Sequence, residues 1–167
     1  VNHGHKPGNL PRKGETSREL VGTAVFKGDK MVGSLDEYET IHYLLAVNKL
    51  KAVTYSIIDS KYEKSAITFK IRSNGVKVRI DLSDREKPKI NVNINIEADI
   101  ESIQSEFNYE NLKHIEELNK LLGQELLKGI NKVLEKVQTE FQADIFGFGK
   151  WAAGKFLTIK EWEEYNW

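Results

Sequence analysis

The side chains that could do chemistry are few and widely spaced. Histidine occurs at His3, His5, His42 and His114. His3 and His5 form an H-x-H pair, a spacing that lets two imidazoles share a transition metal, but no third ligand lies nearby and a solvated tail is the simpler reading. His42, among Ile41, Tyr43 and Leu44, and His114, on a long amphipathic stretch, read as packed, hydrogen-bonded histidines. Neither has a serine or an acid at a spacing that predicts a triad, although triads assemble in space. Gly147-Phe148-Gly149-Lys150-Trp151-Ala152 matches the G-x-G-x-x-G/A pattern that brings a pyrophosphate onto a helix N-terminus. That chemistry requires a buried strand before the glycines, whereas a long helical pattern precedes them here, so the match is fortuitous. Walker loops, G-x-S-x-G elbows and H-E-x-x-H pairs do not occur in the sequence. The acid pairs Glu116-Glu117 and Glu163-Glu164 fall on predicted helix surfaces, where solvation rather than general acid-base work is expected. The reading is of a chain with no catalytic residue, no cofactor and no metal.

Two surfaces remain as binding candidates. Lys70, Arg72, Lys77, Arg79, Asn91, Asn93 and Asn95 share one face of alternating strands, a face that solvent alone explains. Near the C-terminus Phe146, Phe148, Trp151, Phe156, Trp162, Tyr165 and Trp167 crowd together. Most are expected to fill core at the end of the long helix, with Phe146, Phe148 and Trp151 the candidates for an exposed partner contact. Composition names no partner: Lys+Arg and Asp+Glu number 25 each, so no charge excess favours nucleic acid or an anionic membrane. Cysteine is absent, which removes disulfides, thiolate sites and a lipid-bearing cysteine from this chain. The longest apolar run, Tyr43 to Val47, is far short of the ~20 residues needed to span a bilayer.

The elements that would position these residues read clearly. The first eighteen residues, rich in Gly and Pro, form a linker or appended arm, and residues 19–167 a single α+β domain. Leu20–Phe26 and Met31–Leu35 flank Lys27-Gly28-Asp29-Lys30 as a hairpin. Either Ser34 with Glu37 or Asp36 with Glu39 makes a capping box for a short helix from Asp36 to Val47. Period-two alternation then runs through Val53–Ile57, Ile67–Ile71, Val76–Leu82 and Ile90–Ile100, with Asn74-Gly75 read as a hairpin turn and a second turn at Asp84–Pro88. Finally, Leu112, Ile115, Leu118, Leu122, Leu126, Ile130, Val133, Val137 and Phe141 recur every three or four residues, predicting one long helix capped by Asn108. Gly123 and Gly129 inside it would let the backbone approach the sheet. The expected fold is an antiparallel β-meander with a long C-terminal helix and a short helix on one face.

Two separated stretches carry a family resemblance. GTAVFKGDKMVGSLDEYET, from Gly22 to Thr40, and EFQADIFGFGKWAAGKF, from Glu140 to Phe156, resemble the C-terminal domain of Ger(x)C-type spore germination lipoproteins, the C subunits of nutrient germinant receptors. The likeness extends over roughly Leu20 to Trp167. It implies a protein lipid-anchored on the outer face of the spore inner membrane, with the anchor upstream and this portion soluble. The membrane-embedded A and B receptor subunits would be its partners in nutrient-triggered germination. It carries over no catalytic residues. Members usually continue past the tryptophan-rich segment into a further alternating strand, so a truncated chain is expected. The leading expectation is protein-protein interaction; the alternative is a nutrient-binding module with a cleft between sheet and long helix.

Overall fold

The computed structural model describes residues 22–59, 65–104, 109 and 111–167. The arm at 1–18, with His3 and His5, lies outside them, as do Leu20 and Asn108. Strands β1 (Thr23–Lys27) and β2 (Lys30–Leu35) form the expected hairpin, turning at Gly28 with φ of 65°. Of the two capping boxes the sequence offers, Asp36 with Glu39 forms. The Glu39 amide donates to Asp36 Oδ1 at 2.8 Å, and Asp36's amide donates to Glu39 Oε2 at 2.9 Å, starting helix α1 (Glu37–Ala46).

Strands β3 (Val53–Asp59), β4 (Ser65–Asp81) and β5 (Lys89–Ile103) make a separate antiparallel sheet in that order. Asn74-Gly75 is not the hairpin turn its residue types suggest. β4 runs through it as one strand, pairing Ser73 with Ile96 and Gly75 with Asn95, so Asn74 is an extra residue and Gly75, at φ of 130°, takes the distortion. The fifteen-residue partner decides this: β5 alternates without a break, and only a continuous β4 satisfies its backbone along the whole length. The true turn is at residues 82–88. A two-stranded ribbon, Val76–Asp81 against Lys89–Asn95, therefore extends beyond the part of β4 that β3 pairs with.

Helix α2 (Leu112–Lys136) covers the sheet. It is capped by Asn111, whose side chain accepts from the Lys113 amide at 3.0 Å. Leu118, Leu122 and Leu126 pack on Tyr55, Ile57, Ile67, Phe69 and Ile71, each such burial stabilising by about 1.5–3 kcal/mol. Leu112 and Ile115, the first two positions of the predicted stripe, are exposed: period 3.6 specifies a helix face but not how far the neighbouring layer reaches. The helix then leaves the sheet for the β1–β2 hairpin, where Val133, Val137 and Phe141 join Val25 and Leu35 in a second core. Its last turn loosens into a π-helix (Val137–Phe141), followed by short helices α3 (Phe148–Ala153) and α4 (Ile159–Tyr165).

The two α2 glycines differ from the sequence reading and from each other. A Cβ at Gly129 would sit 2.1 Å from His42 Nε2, so the close approach is to α1 and not to the sheet; a Cβ at Gly123 would meet nothing. Gly129→Ala is therefore expected to destabilise the domain by about 1–3 kcal/mol through forced repacking. Gly123→Ala, in helical backbone with open space, is expected to stabilise it by about 0.5–1 kcal/mol. Urea unfolding of both variants checks the opposite signs.

Candidate functional site

His42 is fully buried and enclosed by bonds that define its tautomer. Its Nδ1 lies 2.7 Å from the Tyr38 carbonyl oxygen, an acceptor only, so Nδ1 carries the proton and donates. Nε2 is left as acceptor for the Tyr55 hydroxyl at 3.3 Å, and the Tyr55 oxygen stands 2.8 Å from the Tyr38 hydroxyl. The three rings pack with centroids 4.3 to 6.0 Å apart. Burial depresses the His42 pKa, against the raising effects of the Tyr38 carbonyl bond and the Asp36 charge. Burial likewise drives the Tyr55 hydroxyl well above its usual range, reinforced by its bond to Tyr38. An imidazole sealed between two helices and two phenols offers no approach to a substrate. His42 is a packed, hydrogen-bonded side chain, as its neighbours in sequence suggested. Among the described residues no group of three or more His, Asp or Glu side chains is placed to hold a metal.

The glycine pattern at Gly147 to Ala152 resolves equally plainly. Gly147, at φ of 75°, ends the segment after the π turn and starts α3, with no buried strand before it. The first amides of α3 are occupied: Asp144 accepts from the Phe148 amide at 3.0 Å and from the Gly149 amide. A phosphate would have to displace that carboxylate.

The basic face of the β4–β5 pair is more nearly neutral than its sequence implies, because Arg72 pairs with both Glu97 and Asp99 from the neighbouring strand. Lys70, Lys77, Arg79, Asn91, Asn93 and Asn95 stay exposed.

The C-terminal aromatics form the more developed surface. Phe141 anchors them: its ring fills the space a side chain at Gly33 would need, a Cβ there falling 2.2 Å from the ring. Beyond it the Tyr43 hydroxyl of α1 donates to the Ile145 carbonyl at 3.2 Å, and the Tyr43 ring meets Phe146 edge-on. Phe146 and Phe148 stack nearly parallel at 5.4 Å. Phe156, Trp162, Tyr165 and Trp167 make a second ring cluster. Between these clusters, the end of α2 and the turn of the β4–β5 ribbon lies an open groove of about 1000 Å³. Phe146 and Phe148 line it; Trp151 does not, standing 58% exposed on α3. The structure thus brings two of the three candidate contacts together and leaves the third on the outer surface. The seam between sheet and long helix, where a cleft was anticipated, is filled by the Leu118, Leu122 and Leu126 core. What the sequence left unseen is the part played by Arg85, Glu86 and Pro88 in the groove wall, since only the long ribbon carries them there. No helix among the described residues is long and apolar enough to cross a membrane.

Comparison with known proteins agrees with this architecture. A family model described as spore germination B3/GerAC like, C-terminal, matches residues 21–167. The spore germination protein GerQC of Bacillus cereus is 25% identical over 152 residues, covering 89% of this chain and 40% of that protein. The spore germination protein YndF of Bacillus subtilis (strain 168) is 30% identical over 131 residues, 76% of this chain and 31% of that one. This chain thus spans well under half the length of either relative. The crystal structure of the GerBC protein superposes with a TM-score of 0.57 at 19% identity, over 73% of this chain and 37% of GerBC, a likeness of fold.

The buried His42 gives the domain a pH dependence of known sign. Its folded pKa lies below the 6.5 usual for an imidazole, so below about that pH the unfolded chain binds more protons than the folded one. The stability associated with a neutral His42 is present above the unfolded pKa and is lost as pH falls through the depressed folded value. Stability should fall on acidification below about pH 6.5, with a slope from this group of at most ~1.4 kcal/mol per pH unit. His42→Gln should remove that component, as measured by urea midpoints across the acidic range.

Proposed function

The chain belongs to the spore germination B3/GerAC-like C-terminal family, and from that premise we propose that it is a non-catalytic interaction domain of a germinant receptor C subunit. In this reading it supports nutrient-triggered germination by holding membrane-embedded A and B subunits at the outer face of the spore inner membrane. The full-length protein reaches that surface through a lipid anchor upstream of this portion. The observation that carries the reading is the aromatic surface after α2. Trp151 is presented to solvent on α3, and Phe146 and Phe148, both half-buried, line the adjoining groove, Phe146 with its inner side against the second core. Large exposed aromatics on a rigid scaffold are characteristic of interface hot spots. The surroundings of His42, Asp144 and the α3 amides supply no nucleophile, base or free anion hole that would point to catalysis instead.

The groove itself favours a second reading, a small-molecule module that takes a nutrient. Its volume is at the upper end of the range for ligand pockets, and its walls mix rings with polar side chains. It lies at the C-terminal end of α2 rather than in the sheet-helix seam.

The two readings separate on Trp151, which is outside the groove. Trp151→Ala should leave thermal stability within about 0.5 kcal/mol of the parent, because the side chain is largely solvated. In co-purification from detergent-solubilised membranes carrying the full-length C subunit with A and B, it should reduce recovery of those subunits several-fold. Phe148→Ala should reduce recovery similarly while costing about 1–3 kcal/mol of stability. Unchanged recovery with both variants would remove the aromatic surface from receptor assembly.

A further inference from the structure

The groove after α2 has a chemical bias that its aromatic content conceals. Its walls contain four carboxylates, Glu86, Asp144, Glu161 and Glu164, and one basic side chain, Arg85. Two of the four are occupied by neutral donors: Asp144 accepts the α3 amides, and Glu161 accepts the Leu157 amide at 3.1 Å. Amide bonds leave the formal charge of those carboxylates uncancelled. Glu164 has Lys160 at 3.8 Å on the exposed surface of α4, a pair that solvent screens, and Glu86 sits exposed at the ribbon turn. The guanidinium of Arg85 stands 5.5 Å from the centroid of Phe156, over its face. Phe156 belongs to the second ring cluster beside the groove rather than to its lining, so the basic residue of this wall turns to a neighbouring ring and leaves Phe146, Phe148, Tyr165 and Trp167 free of a cation from Arg85.

The backbone is shaped for the same purpose. The π turn at the end of α2 contributes Val137 and Gln138 to one wall, and Gln142, in the left-handed conformation at φ of 47°, closes it. Insertions of this kind, which widen a helix by a residue, recur where a helix end contributes to a binding site. Opposite stand Phe146, Phe148, Tyr165 and Trp167. The groove is open, and aromatic rings and carboxylates share its lining.

We propose that this groove receives a basic peptide segment of a partner protein, in which a lysine or arginine flanked by apolar residues seats its cation against the aromatic and acidic walls. The proposal deepens the reading of the domain as an interaction module, and rests on it for the identity of the occupant as protein. Charge complementarity selects the sign, and the rings select a cation with apolar neighbours over a fully hydrated one. With walls drawn from α2, α4 and the ribbon turn and a volume of about 1000 Å³, the groove has more room than a single small amine would fill.

The test uses the 167-residue chain with the probe acetyl-Gly-Leu-Lys-Leu-Arg-Gly-amide, followed by backbone amide shifts in NMR and by titration at low and high salt. Saturable shifts are expected at Phe146, Phe148, Glu164, Tyr165 and Trp167, with affinity falling as salt rises. Glu86→Gln combined with Glu164→Gln should weaken binding by about tenfold. Glu116→Gln, the loss of one carboxylate charge on the exposed face of α2 outside the groove, should not. The proposal is overturned if the counterpart peptide with glutamate in place of lysine and arginine binds equally well, or if the shifts map to the ribbon's basic face. It is also overturned if arginine amide alone binds as tightly as the peptide, which would make the site one for small cations. Circular dichroism of each variant keeps loss of binding separate from loss of fold. Peptide binding here with undiminished subunit recovery in Trp151→Ala and Phe148→Ala would leave this site standing and defeat the receptor-assembly reading alone.

Discussion

The crossing of α2 over α1 at Gly129 is the constraint on which the remaining layout depends. Because that position lacks a side chain, the imidazole of His42 lies directly against the α2 backbone. His42 is then shut away from water, and its two nitrogens must find partners inside the protein; the Tyr38 carbonyl and the Tyr55 hydroxyl supply them. Tyr55 belongs to β3, so one close approach ties the long helix, the short helix and the three-stranded sheet at a single point. Two turns later Lys136 reaches Glu39 at 2.7 Å and the Ser34 carbonyl at 3.2 Å. Glu39 is the same carboxylate that closes the α1 capping box, so the start of α1 and the end of α2 share one partly buried charge pair. Losing either partner would leave the other charge poorly solvated, which gives this contact more weight than an exposed pair would have.

Fixing α2 at these two points divides its labour. Its first half serves the sheet and its second half the β1–β2 hairpin, and the π turn that follows delivers Phe141 into the notch over Gly33. From there Tyr43 holds the chain through the Ile145 carbonyl, and the aromatic segment emerges over the ribbon turn. The two stretches that resemble a family in the sequence, Gly22–Thr40 and Glu140–Phe156, therefore meet in space through Gly33 with Phe141, and continue into the Tyr43 contacts just beyond the first stretch. Their joint presence in one chain has a structural reason: each supplies half of one packed corner.

Much of this was legible. Period-two alternation, the hairpin and capping signals and the helical stripe marked β1 to β3, β5, α1 and α2, and the α+β class with a long helix on an antiparallel sheet followed directly. Where the reading departed from the structure, local chemistry was ambiguous and a distant partner decided. Asn-Gly serves a bulge as well as a turn, and only the length of β5 selects between them. Gly129 could be recognised as a close-approach position, but its neighbour, 87 residues earlier in the chain, could not be named from α2 alone. The groove was the least visible feature, since its walls come from the ribbon turn, the end of α2 and the C-terminal helices, three segments whose proximity no local pattern encodes.

The charge balance shows why composition was a poor guide to partners. Equal numbers of acidic and basic residues leave no excess charge to build a strong global field. A balanced total is nevertheless compatible with local segregation, and recognition at short range responds to the local arrangement because exposed charges beyond about 10 Å are largely screened. On the β4–β5 pair, Arg72 is matched by Glu97 and Asp99 across adjacent strands, while Lys70, Lys77 and Arg79 remain in solvent. In the groove the carboxylates outnumber the single guanidinium, and aromatic rings share the lining with them. Both surfaces are invisible in a sum of zero. The groove differs from the ribbon in adding concavity and aromatic faces to its charge, and those are the features that convert a screened surface potential into a site with a preferred occupant.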